Sequence, residues 1–336
     1  MIWRIYDFPR INLFGRPTPL EKASNLSREL GVEIYVKRDD VMDLAFGGNK
    51  VRKLEYILGE ALARGSDVIV TRGSYYSNHV RLTAAAARKL GLDVVIVTYP
   101  PQKDIERIEQ GNVFLNKLFG AEIIEVNNPR EADEKMEEIR RSYEEKGRKP
   151  YVIPVGGSTP LGVFGYIDGV YELMEQLRKL GVKPRYIIHA TGTGTTQAGI
   201  ILGLKLLGVR GINVLGIDVE KHEDENRIVD HIYELINEAL EILDVKLEIS
   251  KDEINVVKGY SFGGYGLFND ELIEFIVNIA RKEGLVLEPV YTGKAFYALV
   301  DLINKKEIKK GDKIIFIHTG GTPLVFQLKK YFEKYL

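Results

Sequence analysis

Short runs of β-branched and aliphatic residues alternate along the chain with longer stretches in which apolar residues recur every three or four positions. Such runs predict buried strands, and the longer period predicts amphipathic helices. Strands are predicted at 33–38, 67–72, 93–99, 121–126, 151–155, 186–190, 213–219 and 313–318. Helices are predicted near 77–90, 104–119, 130–146, 165–180, 196–207, 225–243, 269–283 and 293–305. This alternation is typical of parallel α/β layers.

The chain has 336 residues, which is too many for one ordinary core and suits two domains. The strands between 67 and 126 form a compact unit with their helices. We therefore predict an α/β protein of two doubly wound domains, in which a small domain at 52–160 is inserted in a large domain made of 1–51 and 161–336. The charged run at 130–149 is interpreted as a solvated helix face. In doubly wound sheets ligands bind beyond the carboxyl ends of the strands, so the loops there are the candidate site.

Composition and charge restrict the partners and the kinds of site that the sequence can have. With 47 basic and 48 acidic side chains the net charge is −1, so no overall field would attract nucleic acid or an anionic membrane, and a small molecule is the expected partner. The chain has no cysteine, which excludes disulfides, thiolate metal sites and a cysteine nucleophile, and no histidine or carboxylate pattern predicts a metal. Residues 1–14 are unlike a signal peptide or a transmembrane helix, so we expect a cytoplasmic protein. Abundant Lys, Arg and Glu favour a thermophilic source.

An anion-binding pattern follows the strand predicted at 186–190. The Gly/Thr loop at 191–196 would direct backbone N–H groups and the positive end of the next helix at one point, and threonine hydroxyls would add donors. Gln197 holds the third glycine position of the dinucleotide fingerprint G-x-G-x-x-G, so a terminal monophosphate fits better than a pyrophosphate, and a nicotinamide dehydrogenase becomes a distant alternative. A tight structural connection is the other interpretation of this loop.

The segment "SNHVRLTAAAA" repeats the arrangement of polar loop and helix, with Ser77, Asn78 and His79 at the helix start. Ser and Asn are preferred N-caps, so capping is one interpretation. A second anion site, suited to a carboxylate, is the other. His79 by itself is more typical of a structural histidine than of a ligand or a base.

Lys50 of "FGGNKVRKLE" opens a predicted helix, since apolar residues recur at 51, 54, 58, 61 and 62. The helix macrodipole disfavours a cation in this turn, and Arg52 and Lys53 add like charges. Both effects favour a neutral amine that could attack a carbonyl and form a Schiff base. An aldehyde that carries a monophosphate, bound by the loop at 191–196, describes pyridoxal 5′-phosphate. The alternative is that Lys50 is a solvated loop cation.

Several segments occur in the order seen in fold-type II pyridoxal-phosphate enzymes, namely "KRDD", "GGNKVRKLEY", "SNHVRLTAAAA", "GTGTTQAG", "GYSFGGYGL", "LEPVYTGKAFYALVDL" and "FIHTGG". From about residue 10 to 325 the chain resembles the branch of that family that holds 1-aminocyclopropane-1-carboxylate (ACC) deaminase and D-cysteine desulfhydrase. The resemblance implies a tryptophan synthase β-like fold with an inserted small domain. It also implies an oligomer, and we expect a homodimer.

The resemblance further implies roles for individual residues. Lys50 would carry the cofactor, Asn78 would bond its phenolic oxygen, and its phosphate would be bound by Gly192, Thr193, Gly194, Thr195 and Thr196. Tyr291 would stack on the pyridine ring, with Tyr265 close to the substrate. Ser77 and His79 match the substrate-carboxylate loop. The candidate catalytic residues are Lys50, Ser77, Tyr265 and Tyr291, and Asn78 and Thr292 complete the candidate substrate site.

Thr292 and Thr319 bear on the choice of activity, because ACC deaminases of this branch hold Glu and Leu at these positions. A carboxylate near the ring nitrogen would keep the cofactor protonated, whereas a hydroxyl leaves it neutral, a weaker electron sink that suffices for a thiol leaving group. We therefore expect β-elimination from a small β-substituted amino acid, D-cysteine first, with release of pyruvate, sulfide and ammonia. ACC, serine and L-cysteate are alternatives. Thr292 could instead cap the next helix, and Thr319 could belong to a tight turn.

The segment 72–76, "RGSYY", departs from the pattern expected for either activity. Arg72, Tyr75 and Tyr76 are bulky beside Ser77 and could reshape the substrate side, which leaves a different β-substituent open, such as the sulfonate of cysteate. A non-catalytic metabolite-binding or phosphate-binding protein of the same fold is the rival hypothesis from another functional class.

Overall fold

A computed structural model describes residues 2–102, 107–222 and 225–336. In chain order, its strands are β1 Leu20–Lys22, β2 Glu33–Arg38, β3 Val68–Ser74, β4 Asp93–Tyr99, β5 Glu122–Glu125, β6 Pro150–Ile153, β7 Tyr186–Thr191, β8 Asn213–Asp218, β9 Asn255–Val257 and β10 Lys313–His318. Its α-helices are α1 Ser24–Leu30, α2 Lys50–Ala63, α3 Asn78–Lys89, α4 Gly111–Leu118, α5 Pro129–Glu145, α6 Pro160–Leu180, α7 Thr195–Leu206, α8 Glu225–Ile242, α9 Asp270–Glu283, α10 Thr292–Asn304, α11 Thr322–Gln327 and α12 Lys329–Phe332.

The strands form two sheets. The larger sheet has the order β1-β2-β10-β7-β8-β9 and is parallel except for β1, which pairs antiparallel with β2. The smaller sheet has the order β5-β4-β3-β6 and is parallel throughout. All eight predicted strands are present, with ends that differ by at most two residues. β1 and β9 were not predicted, because three residues are too few to show an alternating pattern.

Each sheet is covered on both faces. Helices α1, α9 and α10 pack on one face of the larger sheet, and α6, α7 and α8 pack on the other. Helices α2 and α3 cover one face of the smaller sheet, and α5 covers the opposite face. The outer side of α5 carries the ion pairs Arg130–Glu134, Lys135–Glu138 and Arg140–Glu144, which confirms the predicted solvated face.

Two predicted helices have different beginnings in the structure. The helix predicted at 165–180 begins earlier, at Pro160, where the Thr159 side chain caps it by accepting a hydrogen bond from the Gly162 N–H. The helix predicted at 104–119 is α4 and begins at Gly111. Residues 103–106, at its predicted start, lie outside the described residues.

The four strands of the smaller sheet fall within the predicted small domain, 52–160, and the other strands fall outside it. One segment differs in its packing from the predicted division. Leu13, Phe14, Met42 and Leu44 lie in the predicted large domain but pack with the apolar face of α2 and α3. The exact domain bounds therefore stay a prediction.

A buried network of charges anchors the first turn of α2. The Arg52 guanidinium is fully buried and donates to both carboxylate oxygens of Asp39, at 2.7 and 2.9 Å, and to Glu172 of α6, at 2.9 and 3.2 Å. Lys37 also donates to Glu172, and the Tyr166 hydroxyl donates to Asp39 at 2.7 Å. Helices α2 and α6 also pack closely at this point, since a Cβ on Gly165 of α6 would lie 2.3 Å from the Arg52 carbonyl oxygen.

We expect Arg52→Ala to lower the free energy of unfolding by about 3 to 5 kcal/mol, because Asp39 and Glu172 would stay buried without their cation. Arg178→Ala is the matched control, since it breaks an exposed pair with Glu175 and should change stability by less than about 0.5 kcal/mol. Urea denaturation of the two variants measures the difference. Equal losses in the two variants would contradict the anchoring role of the network.

Candidate active site

A cavity of about 350 Å³ lies beyond the carboxyl ends of β3 and β7, between the two sheets. It lies where the doubly wound pattern predicted a site. The predicted residues that line it are Lys50, Ser77, Asn78, His79, Gly192, Thr193, Gly194, Thr196, Tyr265, Tyr291 and Thr319. Thr195 and Thr292 are fully buried and are not among the residues that line it.

Lys50 is the first residue of α2, as predicted, and its amine faces the cavity. The loop before it is held tightly, since a Cβ on Gly48 would lie 2.9 Å from the Thr319 carbonyl oxygen and the Asn49 N–H donates to that same oxygen. The Lys50 amine donates to the Gly156 carbonyl oxygen at 3.1 Å. This placement leaves the amine next to open space and without a carboxylate at ion-pair distance among the described residues.

Burial lowers the pKa of the Lys50 amine below its ordinary value, and Glu220 opposes this effect. The lowered pKa of Lys50 agrees with the sequence prediction, but its cause differs in part from the predicted one. Arg52 points away from the cavity, towards Asp39 and Glu172, so it is not the like charge that was expected. Lys53 does lie beside Lys50, with its amine 3.5 Å from the same Gly156 oxygen, and burial followed by the Lys50 charge lowers its pKa strongly.

The loop after β7 forms the predicted cradle at the N-terminus of α7. Gly194 has a φ of 79°, a conformation that suits glycine, and a Cβ on Gly192 would lie 2.3 Å from a carboxylate oxygen of Glu220. The Thr196 hydroxyl accepts a hydrogen bond from the Asn49 side chain at 3.0 Å, so its own proton can point into the cavity. The Thr195 hydroxyl instead donates to Ser158 at 3.0 Å, which directs it away from the cradle.

Gln197 has a structural role that explains why this loop lacks the third glycine. Its side-chain oxygen accepts from the Thr191 hydroxyl at 2.9 Å, and its nitrogen donates to the Asn255 carbonyl oxygen at 2.7 Å. The side chain therefore ties the loop to β7 and β9. A glycine at this position of dinucleotide-binding loops allows close helix–strand packing instead.

Ser77 and Asn78 begin α3 and line the cavity. Ser77 is the N-cap, and its hydroxyl oxygen accepts from the Val80 N–H at 3.4 Å, as the capping interpretation predicted. The Asn78 side-chain oxygen accepts from Arg81 at 2.8 Å and from Asn112 at 3.0 Å. Two donors on that oxygen leave the Asn78 NH₂ group as the part that can donate into the cavity. Binding of a substrate carboxylate at this helix start stays a prediction.

His79 is a structural histidine by its contacts. The Thr71 hydroxyl donates its proton to the Ile153 carbonyl oxygen at 2.8 Å, so His79 must donate from Nε2 to Thr71, at 2.9 Å. This tautomer is assigned from the hydrogen-bond network. Burial, followed by the charges of Lys50 and Lys53, lowers the pKa of His79 well below its ordinary value. A neutral ring held in this way links α3 to β3 and β6.

Tyr265 and Tyr291 meet at the cavity wall, with ring centroids 5.8 Å apart and hydroxyl oxygens 2.8 Å apart. Burial raises the pKa of both phenols, so both keep their protons near neutral pH. Thr319 follows β10 and also lines the cavity, in a turn completed by Gly320 and Gly321 at positive φ. These three side chains line the cavity together with the loop after β7.

Thr292 differs from its predicted role on the substrate side. Its hydroxyl accepts from the Glu288 N–H at 3.1 Å and donates to the Glu288 carboxylate at 3.2 Å. That carboxylate also accepts backbone N–H groups of Val290, Tyr291 and Thr292, so Glu288 rather than Thr292 caps α10. The sequence interpretation missed this because the capping residue lies four positions earlier, outside the helix.

The cavity also contains residues that sequence reasoning did not select. Glu220, two residues after β8, lines it beside the cradle, and burial raises the pKa of its carboxyl group. Lys53 and Ser74 line it as well. Position along the chain could have indicated Glu220, because it follows the strand next to β7 at the same sheet edge. Nothing in the local pattern distinguishes Ser74.

The segment 72–76 is divided between two environments. Arg72 lines the cavity, donates to Asp133, and bonds the Tyr99 hydroxyl at 3.0 Å. Tyr76 is buried away from it, and its ring lies 3.2 Å from where a Cβ on Gly266 would be. Of the bulky residues predicted to reshape the substrate side, the structure therefore brings Arg72 to the cavity and not Tyr75 or Tyr76.

The buried Glu288 carboxyl group makes the stability of the folded protein depend on pH. Burial raises the pKa of its carboxyl group to about 7 against the capping hydrogen bonds. The folded protein therefore holds this proton more tightly than the unfolded chain, and the group's contribution to stability falls as the pH rises from about 4.5 to about 7.

Glu288→Gln removes this titration. We expect the stability of the variant, relative to the unsubstituted protein, to rise over that pH range by at most about 3 kcal/mol. Denaturation curves at several pH values measure it, with the exposed Glu238→Gln as the control. A constant difference between the Glu288 variant and the unsubstituted protein would contradict the raised pKa.

Comparisons with known proteins agree with this geometry. A family model described as "Pyridoxal-phosphate dependent enzyme" matches residues 11–320. A Pyrococcus abyssi protein provisionally named 1-aminocyclopropane-1-carboxylate deaminase is 42% identical over 321 residues, which cover 95% of this chain and 93% of that protein. A "D-cysteine desulfhydrase" of Yersinia enterocolitica is 38% identical over 326 residues, which cover 96% and 97%.

Solved structures show the same fold. A crystal structure described as an "ACC deaminase homologue" superposes with a TM-score of 0.89 at 40% identity and covers 100% of this chain and 99% of that one. Escherichia coli diaminopropionate ammonia lyase, at 17% identity, superposes with a TM-score of 0.65 over 99% and 90% of the two chains, and this likeness concerns the fold alone. The fold class predicted from the sequence motifs is confirmed.

Proposed function

We propose that this chain, which belongs to the pyridoxal-phosphate-dependent enzyme family, catalyses β-elimination on a small β-substituted amino acid, with D-cysteine as the first candidate. One observation carries the proposal: a single cavity brings together the Lys50 amine, the glycine–threonine cradle and the N-terminus of α3. The products from D-cysteine and water would be pyruvate, ammonia and hydrogen sulfide.

The residues present fit the cofactor. The Lys50 amine is buried, its pKa is lowered, and its partner is a neutral carbonyl, so it can exist as the free amine that an aldehyde requires. The N-terminus of α7, with Gly192, Gly194 and the free proton of Thr196, supplies donors for a monophosphate. The NH₂ group of Asn78 can donate to a phenolic oxygen.

The residues of the cavity suit an elimination. The cofactor, when bound, withdraws electrons from the α-carbon of an amino acid. Lys50, as a neutral amine, can then accept the α-proton. The N–H groups that begin α3 behind Ser77 are suited to the substrate carboxylate, and this orientation would bring the β-substituent towards Tyr265 and Tyr291. Departure of the substituent gives an enamine, and water converts it to pyruvate and ammonia.

Thr319 favours desulfhydrase activity over ACC deaminase activity. Thr319 lines the cavity, and by the resemblance ACC deaminases of this branch hold Leu at this position. Thr292 no longer contributes to this argument, because its hydroxyl is bonded to Glu288. The carboxylate among the described residues of the lining is Glu220, which lies beside Gly192 in the cradle. A hydroxyl rather than a carboxylate at the Thr319 wall suits a neutral ring and a thiol leaving group.

ACC deaminase is the second candidate, because three Pyrococcus relatives at 42 to 44% identity carry that provisional name. Serine and L-cysteate remain further alternatives, the latter because Arg72 lines the cavity. A cytoplasmic homodimer from a thermophile remains our prediction for the state of the protein. Within the described residues, no helix is both long enough and apolar enough to cross a membrane.

Lys50→Ala should abolish the visible absorption band that the bound cofactor gives on a lysine, because the amine that bonds it is removed. Borohydride reduction of the unsubstituted protein followed by peptide mapping should place the cofactor on Lys50. The exposed Lys183→Ala is the control and should keep both the band and the label. A label on Lys53, whose amine lies at the same carbonyl oxygen, would contradict the assignment.

The substrate is tested by product release from the cofactor-loaded enzyme. We expect pyruvate from D-cysteine at a higher kcat/KM than from L-cysteate or serine, and little 2-oxobutanoate from ACC. Turnover of ACC alone would replace the first candidate by the second. A protein that holds the cofactor and releases no keto acid from any of these substrates would support the non-catalytic alternative.

A further inference from the structure

Three hydroxyl groups form a chain along one wall of the cavity. The Ser74 oxygen lies 2.9 Å from the Tyr265 oxygen, which lies 2.8 Å from the Tyr291 oxygen. All three residues line the cavity. Ser74 is the last residue of β3, in the small domain, whereas the two tyrosines come from the large domain. The chain therefore crosses the cleft between the domains.

The number of protons decides which of the three hydroxyl groups donates to which. Each hydroxyl has one proton to donate. The Ser74 oxygen already accepts the Tyr76 N–H at 3.2 Å, and Ser74 is 3% exposed. Among the described residues, the Tyr265 oxygen is the acceptor within hydrogen-bond distance of the Ser74 hydroxyl. Ser74 thus donates to Tyr265, and Tyr265 donates to Tyr291.

The Tyr291 proton is left without a protein acceptor among the described residues, and it faces the cavity. The opposite direction would leave the Ser74 proton without a protein acceptor at the more buried end of the chain of hydroxyl groups, since Ser74 is 3% exposed and Tyr291 is half-buried, and an unmade hydrogen bond at a buried group is disfavoured by roughly tenfold or more. The raised pKa values of both tyrosines agree with two protonated phenols. Tyr291 therefore presents a hydrogen-bond donor to the cavity.

We propose that Ser74 is a positioning residue that fixes the direction of this chain, so that Tyr291 presents its proton to the departing β-substituent of the substrate. This inference rests on the proposed β-elimination. In that step the bond between the β-carbon and the substituent breaks, the substituent keeps the electron pair, and it takes the proton of Tyr291. Lys50 holds the proton removed from the α-carbon, and this proton restores the Tyr291 hydroxyl, so that the step neither gains nor loses protons.

The need for this proton depends on the leaving group. Hydroxide, from D-serine, needs it most. The sulfur of D-cysteine needs it less, because a thiol has an ordinary pKa of about 8.5. Chloride, from β-chloro-D-alanine, does not need it. A residue that acts through the Tyr291 proton should therefore affect the three substrates in that order, whereas a residue with a merely structural role should affect them alike.

The test compares Ser74→Ala and Ser74→Thr in the cofactor-loaded enzyme. We expect Ser74→Ala to lower kcat by about tenfold for D-cysteine and by more for D-serine, with less than a twofold change for β-chloro-D-alanine. The visible band and the KM values should stay close to those of the unsubstituted enzyme. Ser74→Thr keeps the hydroxyl and should recover most of the loss.

A double-mutant cycle tests whether Ser74 acts through Tyr265. In a Tyr265→Phe background the chain is already broken, so adding Ser74→Ala should lower kcat for D-cysteine by less than twofold. Additive losses would overturn the inference.

Other outcomes also separate the inference from the proposed function. If the unsubstituted enzyme turns over these substrates and Ser74→Ala lowers all three kcat values equally, or none of them, the inference about Ser74 fails and the elimination stands. A loss in Ser74→Thr as large as that in Ser74→Ala would also overturn it, since keeping the hydroxyl would then give no advantage. If the loaded, unsubstituted enzyme releases pyruvate from none of the three, the proposed function fails, and the inference fails with it.

Discussion

The site depends on how charge is divided between two sides of the first turn of α2. Arg52 faces the protein interior, where Asp39 and Glu172 neutralise it. Lys50 and Lys53 face the cavity, where a neutral carbonyl oxygen is their shared partner. A buried cation with a carboxylate stays charged, whereas a buried amine without one loses its proton readily. The same short segment thus contains a fixed structural cation and a candidate nucleophile, and the turn of the helix separates them.

Neutral groups and one buried cation hold the rest of the site in place. Arg81 of α3 is fully buried and donates to Asn78, to Asn112 of α4 and to the Gly47 carbonyl oxygen in the loop before Lys50. Burial lowers the pKa of Arg81 to about 9, and no carboxylate among the described residues forms an ion pair with it. Its N–H groups orient the Asn78 side chain and hold the glycine loop before Lys50 against α3. A substitution that moves the glycine loop should therefore also move the start of α3, and the reverse should hold as well.

The sequence was informative wherever function depends on local geometry. Strand, loop and helix patterns indicated the cradle after β7 and the loop before α3, since both depend on the carboxyl end of a strand and the start of a helix. The lowered pKa of Lys50 was also predicted, although it was attributed in part to Arg52, which lies on the other side of the helix. Tyr265 and Tyr291 were found by motif resemblance alone.

What the sequence did not show depends on contacts between distant segments. Ser74 meets Tyr265, a tyrosine 191 positions away. This contact depends on side-chain directions across the cavity, which no local period encodes. The placement of Lys50 and Lys53, from the start of α2, in one cavity with Glu220, which follows β8, is of the same kind. Two amines beside one carboxylate form a surplus of positive charge, which can be relieved by loss of a proton or by binding of an anion.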